Sequence, residues 1–213
     1  MINKKRLIKL LRDLIRINSQ NPGSNEREIA SFVGSYLKRI GIRSKIYEFS
    51  NRRSNIIAVL KSSNNGNSLL ISPHLDTVPA GSFWSVPVFS GIIRDGKIYG
   101  LGATDCKVNL ACAIEAINSI TEDKKTLGYN LVFAASADEE TGSGLGLIPL
   151  LRKGLLKVDE ALILDADDFA IVVAQKGLMH IRVKVFGKRA HGAYPHLGDN
   201  AINKAVDIIR ELQ

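Results

Sequence analysis

The sequence predicts an α/β fold, a sheet with parallel strands covered by helices on both faces, and three observations carry that prediction. Residues 130–135 and 161–164 are continuous apolar runs, as expected of strands buried on both faces, and a helical stretch at 144–152 separates them as in a β-α-β unit. Leu7, Leu10, Leu11 and Leu14, then Ile29, Phe32, Val33, Tyr36, Leu37 and Ile40, recur at the spacing of amphipathic helices. Acidic and imidazole side chains stand immediately after the apolar runs, where an open α/β sheet gathers its ligand-binding groups.

The remaining elements follow in order. Asn21-Pro22-Gly23 makes a turn after the first helix, Ser24 or Asn25 is placed to cap the second, and Gly41 to end it. β-rich runs follow at 42–49, 55–60 and 69–72, with a turn at 64–67 between the last two. Residues 92–94 and 97–99 flank Asp95-Gly96, a strong hairpin signal. The stretch 108–120 is apolar almost all round, which predicts a buried helix. After Asp165 the texture changes: 169–173 reads as a short strand, and Met179, Ile181, Val183 and Val185 alternate with His180, Arg182, Lys184 and Phe186 as in a strand with one wet face. Gly198-Asp199-Asn200 then starts a helix with Ile202, Ala205, Val206 and Ile209 on one side. A boundary near Lys176-Gly177 divides the chain into domains at 1–176 and 177–213.

Composition excludes several classes. The 213 residues are 45% hydrophobic and 23% charged, ordinary for a packed core and unlike a disordered chain. No apolar run approaches the ~20 residues of a membrane span, and the first residues mix Lys and Arg with Leu and Ile rather than forming an export signal. The expectation is a soluble, cytoplasmic protein with no membrane partner. Cys106 and Cys112 fall in one predicted helix and make no disulfide framework. With 29 Lys+Arg against 21 Asp+Glu the net charge is +8, but the basic residues are scattered and lie beside no aromatic-rich tract. A solvated surface explains them better than nucleic-acid binding.

The chemistry sits at the strand ends: His74 and Asp76 after 69–72, Asp105 before the buried helix, Asp138, Glu139 and Glu140 after 130–135, and Asp165 after 161–164. Singly, each has a plain explanation, a surface pair, a helix cap, an acidic loop or a strand end. Together, one His and several carboxylates in one crevice point to a metal site. Such nitrogen and oxygen donors suit zinc, with cobalt or manganese as alternatives, and a carboxylate shared by two ions makes a two-metal hydrolase. In an extended segment i and i+2 share a face, so Asp76 is placed to receive the other imidazole N–H of His74.

The runs SPHLDTVPAG at 72–81, DGKIYGLGATDCK at 95–107 and DEETG at 138–142, with Trp84, Pro87 and Phe89 between, resemble the dizinc peptidase family of acetylornithine deacetylase, succinyl-diaminopimelate desuccinylase, aminoacylase-1 and carboxypeptidase G. The resemblance continues through VFGKRAHGAYP at 185–195 and GDNAI at 198–202. It implies a catalytic domain built as a three-layer mixed sheet with helices on both faces, then the start of an α+β lid or dimerisation domain. It implies that His74 and Asp165 bind one zinc, that Asp105 bridges two, that Glu140 binds the second and that Glu139 is the general base, with Asp76 supporting His74. His191 matches the lid histidine that reaches the neighbouring subunit's active site and stabilises the oxyanion, so a homodimer is implied. The substrate class implied is an N-acyl amino acid or small peptide.

Three departures qualify the resemblance. Where many relatives carry Met and Gly around the lysine that follows the bridging Asp, this chain has Cys106 and Val108, and Cys106 is read as a small packing residue rather than a ligand. Where many carry Glu-Pro-Thr, this chain has Asp165-Ala166-Asp167-Asp168, and the spacing to Lys176-Gly177 favours Asp165 over Asp167 as the ligand. The family's last metal ligand, a His near the end of the catalytic domain, has no counterpart here, so the chain reads as the family's N-terminal portion. Metal-dependent amide hydrolysis is the expected function; a catalytically impaired homologue acting as a binding or assembly partner is the alternative.

Overall fold

The computed structural model describes residues 1–212 apart from 24, 64, 65, 166–169, 175 and 178. Ser24, the 64–65 part of the expected turn, Asp167, Asp168 and Phe169 therefore lie outside the described residues. The chain separates into two compact units, Met1–Ile171 and Val172–Gln213, so the division falls a few residues before the expected 176/177 boundary.

The first unit opens with helices α1 (Lys4–Ile15) and α2 (Arg27–Arg39) and continues through strands β1 (Ser44–Ser50), β2 (Arg53–Leu60) and β3 (Ser68–Ser72). The hairpin β4 (Ile92–Arg94) and β5 (Lys97–Tyr99) follows, then α3 (Lys107–Glu122), β6 (Asn130–Ala135), α4 (Leu147–Arg152) and β7 (Glu160–Ile163). Asp95 and Gly96 take φ of 50° and 73°, the left-handed pair that a tight hairpin turn requires.

The main sheet has the order β1-β2-β6-β3-β7. β1 pairs antiparallel with β2 and β2 antiparallel with β6, while β3 runs parallel to both β6 and β7. It is a mixed sheet, matching the expected class. Alternation along the central strands divides its two faces. Ile56, Ala58, Leu131, Phe133 and Ala135 point into a core made with α1, α2 and α3, whereas Ile57, Val132 and Ala134 pack with Leu70, Leu150 and Leu156 on the side of α4. Both helical layers are thus required to cover β2 and β6, and the three-layer arrangement follows from the strands' apolar continuity.

Within α3, Leu110, Ala111, Ala113, Ile114 and Ile117 are buried, as the all-round apolar pattern predicts, but so is Glu115. Its carboxylate is satisfied by α1: Arg6 Nε donates to Oε2 at 2.6 Å and Nη2 to Oε1 at 2.8 Å, joined by the Asn3 amide at 2.7 Å and the Ser119 hydroxyl at 3.1 Å. Arg6 also reaches Glu122 at 2.5 Å. The helical repeat of α1 therefore buries Leu10, Leu11 and Leu14 on one side and uses Arg6 as a clamp onto α3.

The second unit contains α5 (Ala201–Glu211), capped by Asn200, whose side-chain oxygen accepts from the Ile202 amide at 2.9 Å. Lys188 and Asp199 exchange two backbone hydrogen bonds of 2.9 Å. The expected strands at 169–173 and 179–186 do not form among the described residues, and Met179, Ile181, Val183 and Phe186 are exposed. Alternation supplies a face, but a strand also needs a neighbour to complete its backbone hydrogen bonds, and the described residues of this unit offer only the Lys188–Asp199 bridge. No described helix is long and apolar enough to cross a membrane.

Arg6→Ala leaves a buried carboxylate without its charged partner and is expected to cost ~3 kcal/mol in urea unfolding. Burial opposes ionisation of Glu115, but Arg6, the Asn3 amide and Ser119 outweigh it and hold the carboxyl below its ordinary value. The stabilisation is therefore present above the unfolded-state pKa of about 4.3 and is lost as pH falls through the lower folded value. The difference between wild type and Arg6→Ala is expected to be largest near neutrality and to shrink in acid; a pH-independent difference would contradict the assignment.

Candidate metal centre

The carboxyl ends of β3, β6 and β7 lie side by side because these three strands are parallel neighbours. Pairing between the first two continues past their ends: the Leu75 amide donates to Ser136 O at 2.8 Å and the Ser136 amide to Pro73 O at 3.1 Å. Those bonds hold residues 74–76 against 136–140. The same sheet edge brings in Asp165 from the end of β7, and the loop entering α3 brings Asp105.

His74 is the centre of the group, 3% exposed. Its Nδ1 lies 2.9 Å from the main-chain oxygen of Asp76 and 3.5 Å from Asp76 Oδ1. A carbonyl only accepts, so Nδ1 carries a proton, and a ring that gives up its second proton keeps its lone pair on Nε2. Asp76 thus orients the imidazole through its backbone at the closer contact, with its carboxylate behind. Nε2 faces Asp105 Oδ1 at 2.9 Å and Asp165 Oδ1 at 3.4 Å. Asp105 does not cap α3: Cys106 occupies that position without a side-chain capping hydrogen bond, and the Asp105 side chain, 60% exposed, turns to His74 instead.

Asp76 is completely buried and organises the loop after β6. Its Oδ1 accepts from the Glu139 amide at 3.1 Å, and its Oδ2 accepts from the Glu140 amide at 3.2 Å and from Asn21 Nδ2 at 2.8 Å. Asp138, at φ 64°, is fixed next to it: its carboxylate accepts from Leu145 N at 2.9 Å, Arg53 Nη2 at 3.0 Å and Asn21 Nδ2 at 3.2 Å. Arg53 in turn makes two 2.7 Å bonds to the fully buried Glu26. Gly102, at φ 77°, lies where a Cβ would come within 2.7 Å of the Thr77 methyl and 3.0 Å of Lys107 Cδ, so only glycine fits that turn. Lys107 is buried with Nζ donating to Ile17 O at 2.7 Å, and desolvation lowers its pKa to about 7.

The site is electrostatically loaded. Burial works against a charged His74, yet the Asp76 and Cys106 side chains outweigh it and push the ring pKa up to about 12. Desolvation, reinforced by Asp165, Asp76 and Asp105, raises the Glu139 carboxyl above its ordinary value despite the opposing pull of His74. Glu140 is raised likewise by desolvation and by Asp105. This is a pocket that demands positive charge. One ligand atom each from His74, Asp105, Cys106 and Asp165 lies within 4.8 Å of the others, a donor set that fits a divalent transition ion. Glu140 stands outside that group and its Oε1 accepts from the Val78 amide at 3.1 Å. His191 belongs to the second unit, where its Nδ1 accepts from the Ala193 amide at 3.2 Å.

Asn21, Arg53 and Glu26 escaped the sequence reading, which took Asn21 for a turn residue and Arg53 for surface charge. Their partners are far away in the chain, Asp138 lying 117 positions from Asn21 and 85 from Arg53, and nothing local signals the pairing. Asn21→Ala removes the amide that separates the Asp76 and Asp138 carboxylates. The expected cost is ~1.5–3 kcal/mol, as for hydrogen bonds to charged groups. Hydrogen exchange at the Glu139 and Glu140 amides should accelerate more than at β6; unchanged protection there would show that Asn21 does not hold the loop.

The Peptidase family M20/M25/M40 profile matches residues 70–212. A probable succinyl-diaminopimelate desuccinylase of Staphylococcus epidermidis is 31% identical over 216 residues, covering 100% of this chain and 52% of the relative. An uncharacterized metallohydrolase of Methanocaldococcus jannaschii is 34% identical over 229 residues, covering 96% of this chain and 55% of that one. Among solved structures, a tripeptidase of Staphylococcus aureus superposes with a TM-score of 0.68 at 24% identity, covering 99% of this chain and 57% of that chain, a likeness of fold. The chain spans about half the length of the curated relatives it matches. By the extent of the profile match and the identity along its whole length, the chain belongs to the peptidase family M20/M25/M40.

Proposed function

We propose that the crevice at the ends of β3, β6 and β7 serves metal-dependent hydrolysis of an amide bond in N-acyl amino acids or small peptides. The observation that supports it most is the convergence of His74 Nε2 on Asp105 and Asp165, beside a loop whose Glu139 and Glu140 amides are clamped by Asp76. In this reading His74 and Asp165 would hold one zinc, Glu140 a second, and Asp105 would be shared between them. A zinc ion held by these residues would supply Lewis-acid chemistry, acidifying the attacking water and polarising the scissile carbonyl.

The chain's own groups do the rest. Glu139 takes the proton of the attacking water and returns it to the departing nitrogen; the desolvation and neighbouring carboxylates that raise its pKa make it a better base and acid near neutrality. Asp76 keeps the Glu139 backbone fixed while the proton moves, and holds His74 in the tautomer that presents Nε2. In the second unit, acceptance at His191 Nδ1 leaves the proton of the neutral ring on Nε2, so His191 is a hydrogen-bond donor suited to an oxyanion. We assign that donor to the site of a second copy, in a homodimer formed through the second unit. A probable succinyl-diaminopimelate desuccinylase among the relatives and a tripeptidase among the structural neighbours support the substrate class.

A hydrolysis screen over N-acyl amino acids and dipeptides with added zinc or cobalt tests this reading. Activity is expected, with Glu139→Gln lowering kcat by about 10²–10⁴-fold while metal uptake is retained and His74→Ala losing the metal. A wild-type rate that Glu139→Gln leaves unchanged would remove Glu139 from the reaction, and no turnover across the panel would count against the function. Because His74, Asp105 and Asp165 are gathered while Glu140 stands apart, calorimetric titration with zinc should show one tight equivalent and a weaker second. Two equally tight equivalents would contradict that inequality.

A further inference from the structure

We propose that Cys106 is a ligand of the ion held by His74, Asp105 and Asp165, so that this position is a mixed nitrogen, sulfur and oxygen site. The proposal rests on the metal-centre reading above and deepens it. Cys106 is fully buried, and its Sγ accepts from the His74 amide at 3.3 Å and lies 3.6 Å from His74 O and 3.5 Å from Leu164 O. It is therefore pinned between the segments that follow β3 and β7, the two that deliver His74 and Asp165. The four ligand atoms lie within 4.8 Å of one another. Bonds of ~2.0–2.1 Å to nitrogen or oxygen and ~2.3 Å to sulfur put such ligands somewhat closer than that, so a small inward movement brings all four into range, and the attacking water would enter as a fifth donor.

A buried cysteine among apolar groups packs as a small hydrophobe. Cys106 instead stands among an imidazole, two carboxylates and backbone carbonyls, and its single S–H can satisfy only one of the two carbonyl oxygens it meets. Coordination replaces that S–H by a metal–sulfur bond and releases the proton to water. A thiolate shifts the preference of the site towards borderline and soft divalent ions, zinc, cobalt or cadmium, and away from magnesium and calcium. Cys112, on the exposed side of α3, provides an internal control.

The test is titration of the chain with Co(II), following the visible ligand-field bands for occupancy and the near-ultraviolet thiolate-to-cobalt charge-transfer band for sulfur coordination. Wild type and Cys112→Ser are expected to develop the charge-transfer band to one equivalent. Cys106→Ser is expected to lose it completely while retaining ligand-field bands at weaker affinity, and Cys106→Ala provides a second variant should serine perturb folding, which circular dichroism reports. Cobalt uptake abolished by His74→Ala but without a charge-transfer band in wild type overturns the sulfur ligand and leaves the metal centre standing. A band that persists in both folded Cys106 variants also overturns it. Uptake that His74→Ala leaves unchanged, or no uptake at all, overturns the metal centre and this ligand with it.

Discussion

The buried carboxylate of Asp76 is the constraint on which the site depends. Its two oxygens reach the amides of Glu139 and Glu140, and its own backbone oxygen sets the His74 ring. One residue thus couples the loop after β3 to the loop after β6, and with them the imidazole to the carboxylates. A fully buried carboxylate is costly unless its hydrogen-bonding capacity is used, and here Asn21 completes the set. The Arg53–Glu26 pair carries the same logic outward, tying Asp138 to the start of α2 and of β2.

The sheet explains why the site is where it is. Most of β2 and β6 is apolar and packed between two helical layers, the buried Ser54 and Asn55 of β2 having hydrogen-bond partners of their own, so the ionisable chemistry collects at the strand ends. There the crevice gathers negative charge, on the half-buried Glu139 and Glu140 and on the exposed Asp105 and Asp165. The rise of the Glu139 and Glu140 pKa values and the proton held on His74 express one condition, a field that a divalent ion would neutralise.

Much of this was legible in the sequence because it depends on local pattern. The strands at β6 and β7, the two leading amphipathic helices and the Asp95-Gly96 hairpin follow from periodicity and turn chemistry alone, but β7 is an exposed edge strand rather than one buried on both faces, because position in the sheet and not apolar continuity decides what covers a strand. The placement of His74, Asp105 and Asp165 at one sheet edge follows from parallel pairing. Less legible was the second unit, where alternation at 179–186 suggested a strand that lacks a pairing neighbour among the described residues. Cys106, read from its type as packing, has its sulfur near the candidate ligand atoms of His74, Asp105 and Asp165; no propensity scale records which way a side chain faces at the mouth of a helix.

The sequence by itself determined the class of fold, the end of the sheet at which polar chemistry collects and the family, since hydrophobic period and motif order are properties of the chain. Only the tertiary structure decided how Asp76 divides its hydrogen bonds, that Asp105 faces His74 rather than capping α3, that Glu140 stands apart from the group of His74, Asp105, Cys106 and Asp165, and that Asn21, Arg53 and Glu26 brace the loop. Those outcomes depend on distances between residues remote in the chain. A buried donor or acceptor takes whatever partner the packing brings, and that choice is made by the fold as a whole.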